Sequence, residues 1–355
     1  MNPDPTGTTS KEPVVRENVH LRPFNTLGVE ATADYFAAVE TAGQLFRLYR
    51  ENLLEQDLWI LGGGSNVLFA GRVHALVLKN EIDFRELLRE DEDHVLLKAG
   101  GGSDWHGLVT CCVEKGWGGI ENLALIPGTA GAAPVQNIGA YGTELSDCFI
   151  ALEAFDLREG RLRTFSHEEC RFGYRDSIFK KDFKNRFFIV SITLRLKKAP
   201  HAVRVNYRVL SERLAGKGID RPGIKDVFEA VVEIRTEKLP DPSDLANAGS
   251  FFKNPVVSTA VLKKLQSGFR EVPFYPAGEE QVKIPAGWLI EKAGWKGRRV
   301  GNVGTYENQA LVIVNHGGAT GDEIWALAVK ICEDVRKKFG IELVPEVNVT
   351  GSAVE

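Results

Sequence analysis

N-L-A-L-I-P-G-T-A-G-A-A-P-V-Q-N-I-G-A-Y-G-T, residues 122–143, runs for twenty-two positions without a charged side chain and carries glycines at 128, 131, 139 and 142. A plain helix or strand would lose roughly 0.5–1 kcal/mol at each interior glycine. Pro127 and Pro134 further oppose a long helix. The stretch therefore reads as one built for close backbone approach, an extended neutral groove whose peptide N–H groups converge on a large anionic ligand.

Working outward, residues 58–61 predict a short buried strand running into G-G-G-S-N at 62–66. That turn follows a strand, as a phosphate-binding turn should. It fits neither common nucleotide pattern, because Val67 stands where a GxGxxG motif needs its third glycine and no GK[ST] follows. Alone it is as well read as a structural turn. Paired with the second glycine segment it reads as half of a pyrophosphate cradle, since amides of two loops can bind the anion without a cation.

Other elements follow from pattern. T-A-G-Q at 41–44 has capping-box spacing ahead of Leu45 and Leu48, and Ala75–Lys79 and Val95–Ala99 predict strands. After the turn Gly100–Gly102, Trp105, Leu108, Val109 and Cys112 share one helical face. Strands are expected at 149–157, 162–165 and 187–196, with a small capping box, S-H-E-E, at 166–169. Val227, Ala230, Val231 and Ile234 mark a helix ending near Lys238, ahead of a boundary at L-P-D-P-S-D. The last third predicts a helix at 285–292, a strand at 310–315, a helix opening on the capping box T-G-D-E at 320–323, and a strand at Ile341–Val344.

With 355 residues the chain exceeds the ~250–300 at which single cores stop growing, so several domains are expected. Apolar residues at 43% and charged residues at 26% are ordinary globular values, arguing against disorder or a fibrous repeat. A net charge of −4 gives no global attraction to nucleic acid, so an anionic ligand needs local cations and amides. The five cysteines form no CxxC, which points to neither zinc nor a disulfide framework and to a reduced, cytosolic protein without a metal. No apolar run approaches the ~20 residues of a membrane span, and the N-terminal tail lacks a signal-peptide core.

Candidate chemistry lies outside the glycine segment. Ser250 sits between Gly249 and two phenylalanines in N-A-G-S-F-F-K-N-P at 247–255, but the GxSxG elbow is absent because Phe252 takes the second glycine position. Proton donation suits this serine better than nucleophilic attack; a mere turn is the alternative. Lys253 reads as a phosphate contact or as a solvated lysine. Arg175, in G-Y-R-D-S, suits a bidentate grip on a carboxylate or an ion pair with Asp176. Glu346 follows the expected terminal strand and Pro345, late enough to return to a site or simply to be exposed.

In order along the chain, F-N-T-L-G-V at 24–29, L-G-G-G-S-N at 61–66, I-P-G-T-A-G-A-A-P-V-Q-N-I-G-A-Y-G at 126–142, F-G-Y-R-D-S-I-F-K at 172–180, G-S-F-F-K-N-P at 249–255 and P-E-V at 345–347 resemble the UDP-N-acetylenolpyruvoylglucosamine reductases, flavoenzymes of bacterial peptidoglycan precursor synthesis. The resemblance spans about residues 18–351. It implies an α+β fold: a two-part FAD-binding region of the vanillyl-alcohol-oxidase type and a C-terminal α+β substrate-binding domain. The implied division is a flexible tail at 1–17, an FAD region at 18–199 with subdomains at about 18–79 and 80–199, a substrate loop and connecting helix at 200–239, a substrate domain at 240–345, and a segment at 346–355 returning to the active site.

The resemblance also implies a reaction. NADPH reduces FAD, and hydride passes from its N5 to the enolpyruvyl ether of UDP-N-acetylglucosamine enolpyruvate, with no nucleic-acid partner and no membrane insertion. Arg175, Ser250 and Glu346 match the catalytic trio. Arg175 and Glu346 would stabilise charge at the carboxylate-bearing carbon, Glu346 either protonated or through a water, and Ser250 would supply the proton. The implied FAD contacts are Leu61, Gly62, Gly63, Gly64, Ser65, Asn66, Ile126, Pro127, Gly128, Thr129, Gly131, Ala132, Gln136, Asn137, Gly139, Ala140, Tyr141 and Gly142. V-N-Y-R-V at 205–209 resembles the tyrosine-bearing substrate loop of the longer subtype, making Tyr207 a lid over the diphosphate, and Lys238, Asn254, Tyr275 and Gln309 match substrate contacts.

Overall fold

The strand Leu58–Leu61 ends on the glycine turn, and there the chain passes from one compact unit to another. A computed structural model describes residues 13–351. The first unit runs to Val19 and takes in Ala33–Gly63 and His74–Arg235; the second takes in His20–Thr32, Gly64–Val73 and the chain from Thr236. Most of the tail reading, residues 1–12, and the last four residues lie outside the described residues, while a strand already opens at Arg16, inside the expected tail.

In the first unit a four-stranded sheet has the order Arg16–His20, Thr32–Val39, Val73–Asn80, Leu58–Leu61, the last two parallel. The helix Ala42–Arg50 is started by a reciprocal Thr41–Gln44 capping box and buries Leu45 and Leu48. A second, antiparallel sheet has the order Arg161–Ser166, Phe149–Asp156, Phe187–Lys197, His94–Gly100, Arg85–Glu90. Its core is closed by Trp105, Leu108, Val109 and Cys112 from the helix Trp105–Glu114, and by Val227, Ala230, Val231 and Ile234 from the helix Ile224–Lys238. The Trp105 indole donates to the Leu123 carbonyl at 3.0 Å, so a large apolar ring is buried without an orphan N–H.

The second unit holds an antiparallel sheet in the order Ala246–Ser250, Val312–Asn315, Val303–Thr305, Arg299–Val300. The helix Gly321–Phe339 begins with the Thr320–Glu323 capping box and stops at Gly340, whose φ of +68° few other residues tolerate. Ile324, Ile331 and Val335 on that helix join Phe251, Phe252, Leu289 and Trp295 in the core. Truncating one of them, Ile331→Ala for instance, costs roughly 2–5 kcal/mol.

Two expectations are corrected. Residues 341–344 form no strand; Ile341 and Leu343 are buried, but the backbone builds no ladder: Lys253 N–H donates to the Val344 carbonyl at 2.9 Å, and Pro345 has no N–H to continue the pairing. The strand comes later, at Asn348–Thr350, parallel to Val67–Phe69. That pairing, with Leu27, Val29 and Leu68 in the same core, places residues 20–32 and 64–73 in the second unit and not in a first FAD subdomain.

Candidate active site

In the first unit the two glycine segments meet backbone to backbone. A Cβ on Gly63 would stand 2.8 Å from the Gly128 Cα, and one on Gly62 would stand 2.9 Å from the Thr129 hydroxyl oxygen. That oxygen is buried without a hydrogen-bond partner. Close contact with no room for side chains, no local charge and an orphaned polar atom together suit a large anionic cofactor.

Residues 122–143 are less extended than expected. They fold into short 3-10 turns at Glu121–Leu123 and Ala133–Gln136 and a hairpin pairing Gly139–Ala140 with Thr143–Glu144. The hairpin loop is Tyr141 and Gly142, both at positive φ (+49° and +82°), as a type I′ turn requires. Asn137 is buried and its amide is committed internally, donating to Glu144 at 2.8 Å and to the Gly173 carbonyl at 3.2 Å. Gln136 accepts from Lys180 at 3.2 Å.

Beside this hairpin the fold gathers further predicted residues and two that the sequence reading missed. Arg175, at a φ of +54° in the turn closed by Gly173 and Asp176, donates to the Gly139 carbonyl at 2.7 Å. Asp176, proposed as its ion-pair partner, pairs with Lys181. The Tyr141 ring meets Tyr207 edge to face at 5.4 Å, and its hydroxyl hydrogen-bonds Arg235. Asn122, fully buried, donates to the carbonyls of Tyr141 at 3.1 Å and Arg204 at 2.9 Å, tying the hairpin to the Tyr207 loop.

Arg235 is part-buried, with its Nε enclosed and unpartnered. Burial pushes its guanidinium below the ordinary value, the Arg175 charge adds to this, and Tyr141 opposes it. Burial raises the Tyr141 phenol, so it stays neutral. His106, stacked on Phe228 at 5.8 Å, accepts the Leu125 N–H through Nδ1 at 3.1 Å; burial lowers its pKa, Asp104 opposes, and Arg235 lowers it further. The signal for Arg235 was available: it follows buried Val231 by four positions, a cation on the apolar stripe of its helix.

The second unit holds the remaining candidates. Gly64 belongs here, at a φ of +67° and with a would-be Cβ 2.0 Å from the Phe24 carbonyl oxygen, as do Ser65 and Asn66. Ser250 is exposed and ends a strand that bulges after Asn247, whose side chain accepts the Gly249 N–H at 2.9 Å. Phe251 and Phe252 are fully buried, so they anchor this turn from the core. The terminal segment is laid against them: Glu346 N–H donates to the Phe251 carbonyl, and Phe252 bridges Pro345. Asn66 donates to the Glu346 carbonyl at 3.4 Å.

Thus Ser250 and Glu346 are brought together within one unit, and Arg175 belongs to the other. Asn254 caps the helix Ala286–Lys292 by accepting from Ala286 at 2.8 Å, Gln309 accepts weakly from Leu311, Tyr275 is exposed, and Lys238 ends its helix. Among the described residues there is no metal-binding cluster, the five cysteines are free, and no helix is long and apolar enough to cross a membrane. Burial pushes the thiols of Cys112 and Cys170 up to about 12, which makes them inert.

Residues 33–166 match an FAD binding domain family, and residues 241–350 match the C-terminal domain family of UDP-N-acetylenolpyruvoylglucosamine reductase. The reductase of that name from Flavobacterium johnsoniae is 43% identical over 94% of this chain and 99% of its own. The one from Pseudomonas aeruginosa is 45% identical over 94% and 98%. The crystal structure of the Thermus caldophilus reductase is 25% identical, with a TM-score of 0.67 over 96% of this chain and all of that one.

Proposed function

This chain belongs to the UDP-N-acetylenolpyruvoylglucosamine reductase family, and from that premise we propose that it reduces the enolpyruvyl ether of UDP-N-acetylglucosamine enolpyruvate to UDP-N-acetylmuramate, with NADPH as reductant. It is an FAD-dependent oxidoreductase, with the expected FAD-binding region and α+β C-terminal domain. The touching glycine turns and the orphaned Thr129 hydroxyl fit FAD, which Leu61 to Asn66 and Ile126 to Gly142 would hold. Bound FAD supplies hydride transfer from NADPH to the enolpyruvyl CH₂ carbon.

The protein's own residues handle the charge and the proton. Arg175 grips the substrate carboxylate in a guanidinium fork, with its backbone held at positive φ by a tight turn. Ser250 gives the proton of its hydroxyl to the carboxylate-bearing carbon and, being exposed, regains one from water. Glu346 stabilises the charge developing at that carbon, either protonated or through a water. Tyr207 covers the diphosphate, and Lys238, Asn254, Tyr275 and Gln309 contact the nucleotide sugar. The observation that carries the reading is the register of the terminal segment, which hydrogen-bonds Glu346 to the residue following Ser250.

Ser250→Ala tests it. FAD content and flavin reduction by NADPH should stay near wild type, while reoxidation by the enolpyruvyl substrate slows at least ~10²-fold, as loss of a general acid predicts. Unchanged reoxidation in stopped-flow would remove Ser250 from the mechanism.

A further inference from the structure

The strand Arg85–Glu90, R-E-L-L-R-E, ends the five-stranded sheet of the first unit, and all of its residues are exposed. On its inner side it pairs with His94–Gly100; among the described residues no strand pairs with its outer side. Leu87 and Leu88, 44% and 47% exposed, set two adjacent apolar side chains at the middle of that free edge. Such an edge offers main-chain donors and acceptors to another strand, and charges usually guard it. Against a second copy these charges give no protection. Reversed, as an antiparallel partner presents it, the stretch reads E-R-L-L-E-R, so every basic residue meets an acidic one.

This register sets Arg85 opposite Glu90, Glu86 opposite Arg89 and Leu87 opposite Leu88. A slip of one residue sets Arg85 against Arg89 or Glu86 against Glu90, and like charges directly opposite destabilise a strand pair. In a regular strand Arg85 and Glu90 would point to opposite faces, which a twofold axis normal to the sheet forbids for paired residues. The bulge between Leu87 and Arg89 removes that conflict. Arg85 aligns with buried Ala99 and Glu90 with buried Val95, whereas Glu86 aligns with Lys98 and Arg89 with Leu96 on the other face. The members of each pair therefore share a face. The main chain agrees with this. Phe84 accepts from Gly100 at 2.9 Å and Asp91 donates to His94 at 3.0 Å, so the backbone turns into the sheet at both flanks. Alternation then turns the groups of Arg85 and Glu90 outward, as a hydrogen-bonded pair requires. Glu90 also pairs with Lys198 at 2.7 Å, a partly exposed contact that a second cation can join.

We propose that this strand is a self-association edge: two copies of the chain join Arg85–Glu90 antiparallel about a twofold axis between Leu87 and Leu88, making one continuous sheet. No residue of the strand serves the proposed reduction. Two short strands bury little surface, which places the contact in the weak class below about 1,200 Å², with a Kd on the order of tens of micromolar.

Sedimentation velocity of the full, FAD-loaded chain between about 1 and about 200 µM tests it. Wild type should shift from monomer to dimer across that range. Arg89→Glu creates two like-charged pairs with Glu86 across the axis and should weaken the dimer at least tenfold. The double swap Glu86→Arg with Arg89→Glu restores opposite charges and should return the Kd to within threefold of wild type. Melting curves check that each variant folds. If Arg89→Glu does not, Leu88→Lys, which brings like charges together at the axis, carries the same tenfold threshold. A wild-type chain that stays monomeric throughout, leaving the edge to a strand of another protein or to solvent, overturns the proposal. So does a dimer that the folded single variant leaves unweakened, or a double swap that binds no tighter than Arg89→Glu.

Discussion

The backbone N–H of Glu346 donates to the carbonyl of Phe251 over 2.8 Å, fixing the terminal segment against the residue that follows Ser250. Because this bond is made by the main chain, the Glu346 side chain is not needed to hold the register. Glu346→Gln keeps the size of the side chain and should leave FAD content unchanged and stability within about 0.5 kcal/mol. Reoxidation by substrate should fall by roughly 10–10³-fold if the carboxyl group serves the developing charge. Thermal melts alongside stopped-flow decide it; a large drop in the melting temperature with normal reoxidation would make Glu346 a structural residue.

Gly63 should be indispensable for the cofactor. Its would-be Cβ meets the Gly128 Cα at 2.8 Å, backbone that cannot swing away as a side chain can. Gly63→Ala is expected to purify with little flavin and to need a large excess of FAD for reconstitution. Gly216→Ala is the control, since a Cβ there meets nothing within 4 Å and lies at the end of a helix. Its flavin content should be normal, and equal loss in both variants would mean that the cradle is not at Gly63.

Much of this fold was legible from local pattern, and the misses share a cause. The Thr41 and Thr320 capping boxes and the strand Leu58–Leu61 fall where expected, because each depends on neighbours within a few residues. The pairing of Val67–Phe69 with Asn348–Thr350 leaves no local trace, being three residues long on each side and nearly three hundred apart. Ile341–Val344 imitates a strand by alternation, and only the missing N–H of Pro345 warned otherwise. The site divides similarly. Arg175, Ser250 and Glu346 each read singly as an ion pair, a turn and an exposed acid, so the roles proposed for them come from the family resemblance. Arg235 and His106 matter through charges and bonds from distant loops.

Asn122 should behave as a strut. Its amide serves two carbonyls, Tyr141 and Arg204, from a fully buried position. Asn122→Leu keeps the volume and orphans both, a loss of roughly 2–6 kcal/mol at 1–3 kcal/mol for each carbonyl that water does not reach. Differential scanning calorimetry should show the lowered midpoint, and substrate KM should rise because the Tyr207 loop loses its tie to the hairpin. A wild-type midpoint would show that water replaces the amide.

His106 gives the first unit a pH dependence whose sign follows from its surroundings. Burial disfavours the charged imidazole, the Arg235 charge does the same, and Asp104 works against them, with the net pKa lowered. The unfolded chain therefore takes up the proton more readily than the folded one. The stability contribution is complete above the unfolded value of about 6.5 and is lost as pH falls through the lower folded value. Protonation also puts a hydrogen on Nδ1, which now accepts the Leu125 N–H, and so repels the turn that leads into the cofactor segment. His106→Asn separates these effects, because its Oδ1 can accept the same N–H but does not titrate. Between about pH 7.5 and about pH 5 the wild-type melting temperature should fall further than that of His106→Asn, and flavin release should follow it. Parallel curves for the two proteins would show that the acid sensitivity of this unit lies in another group.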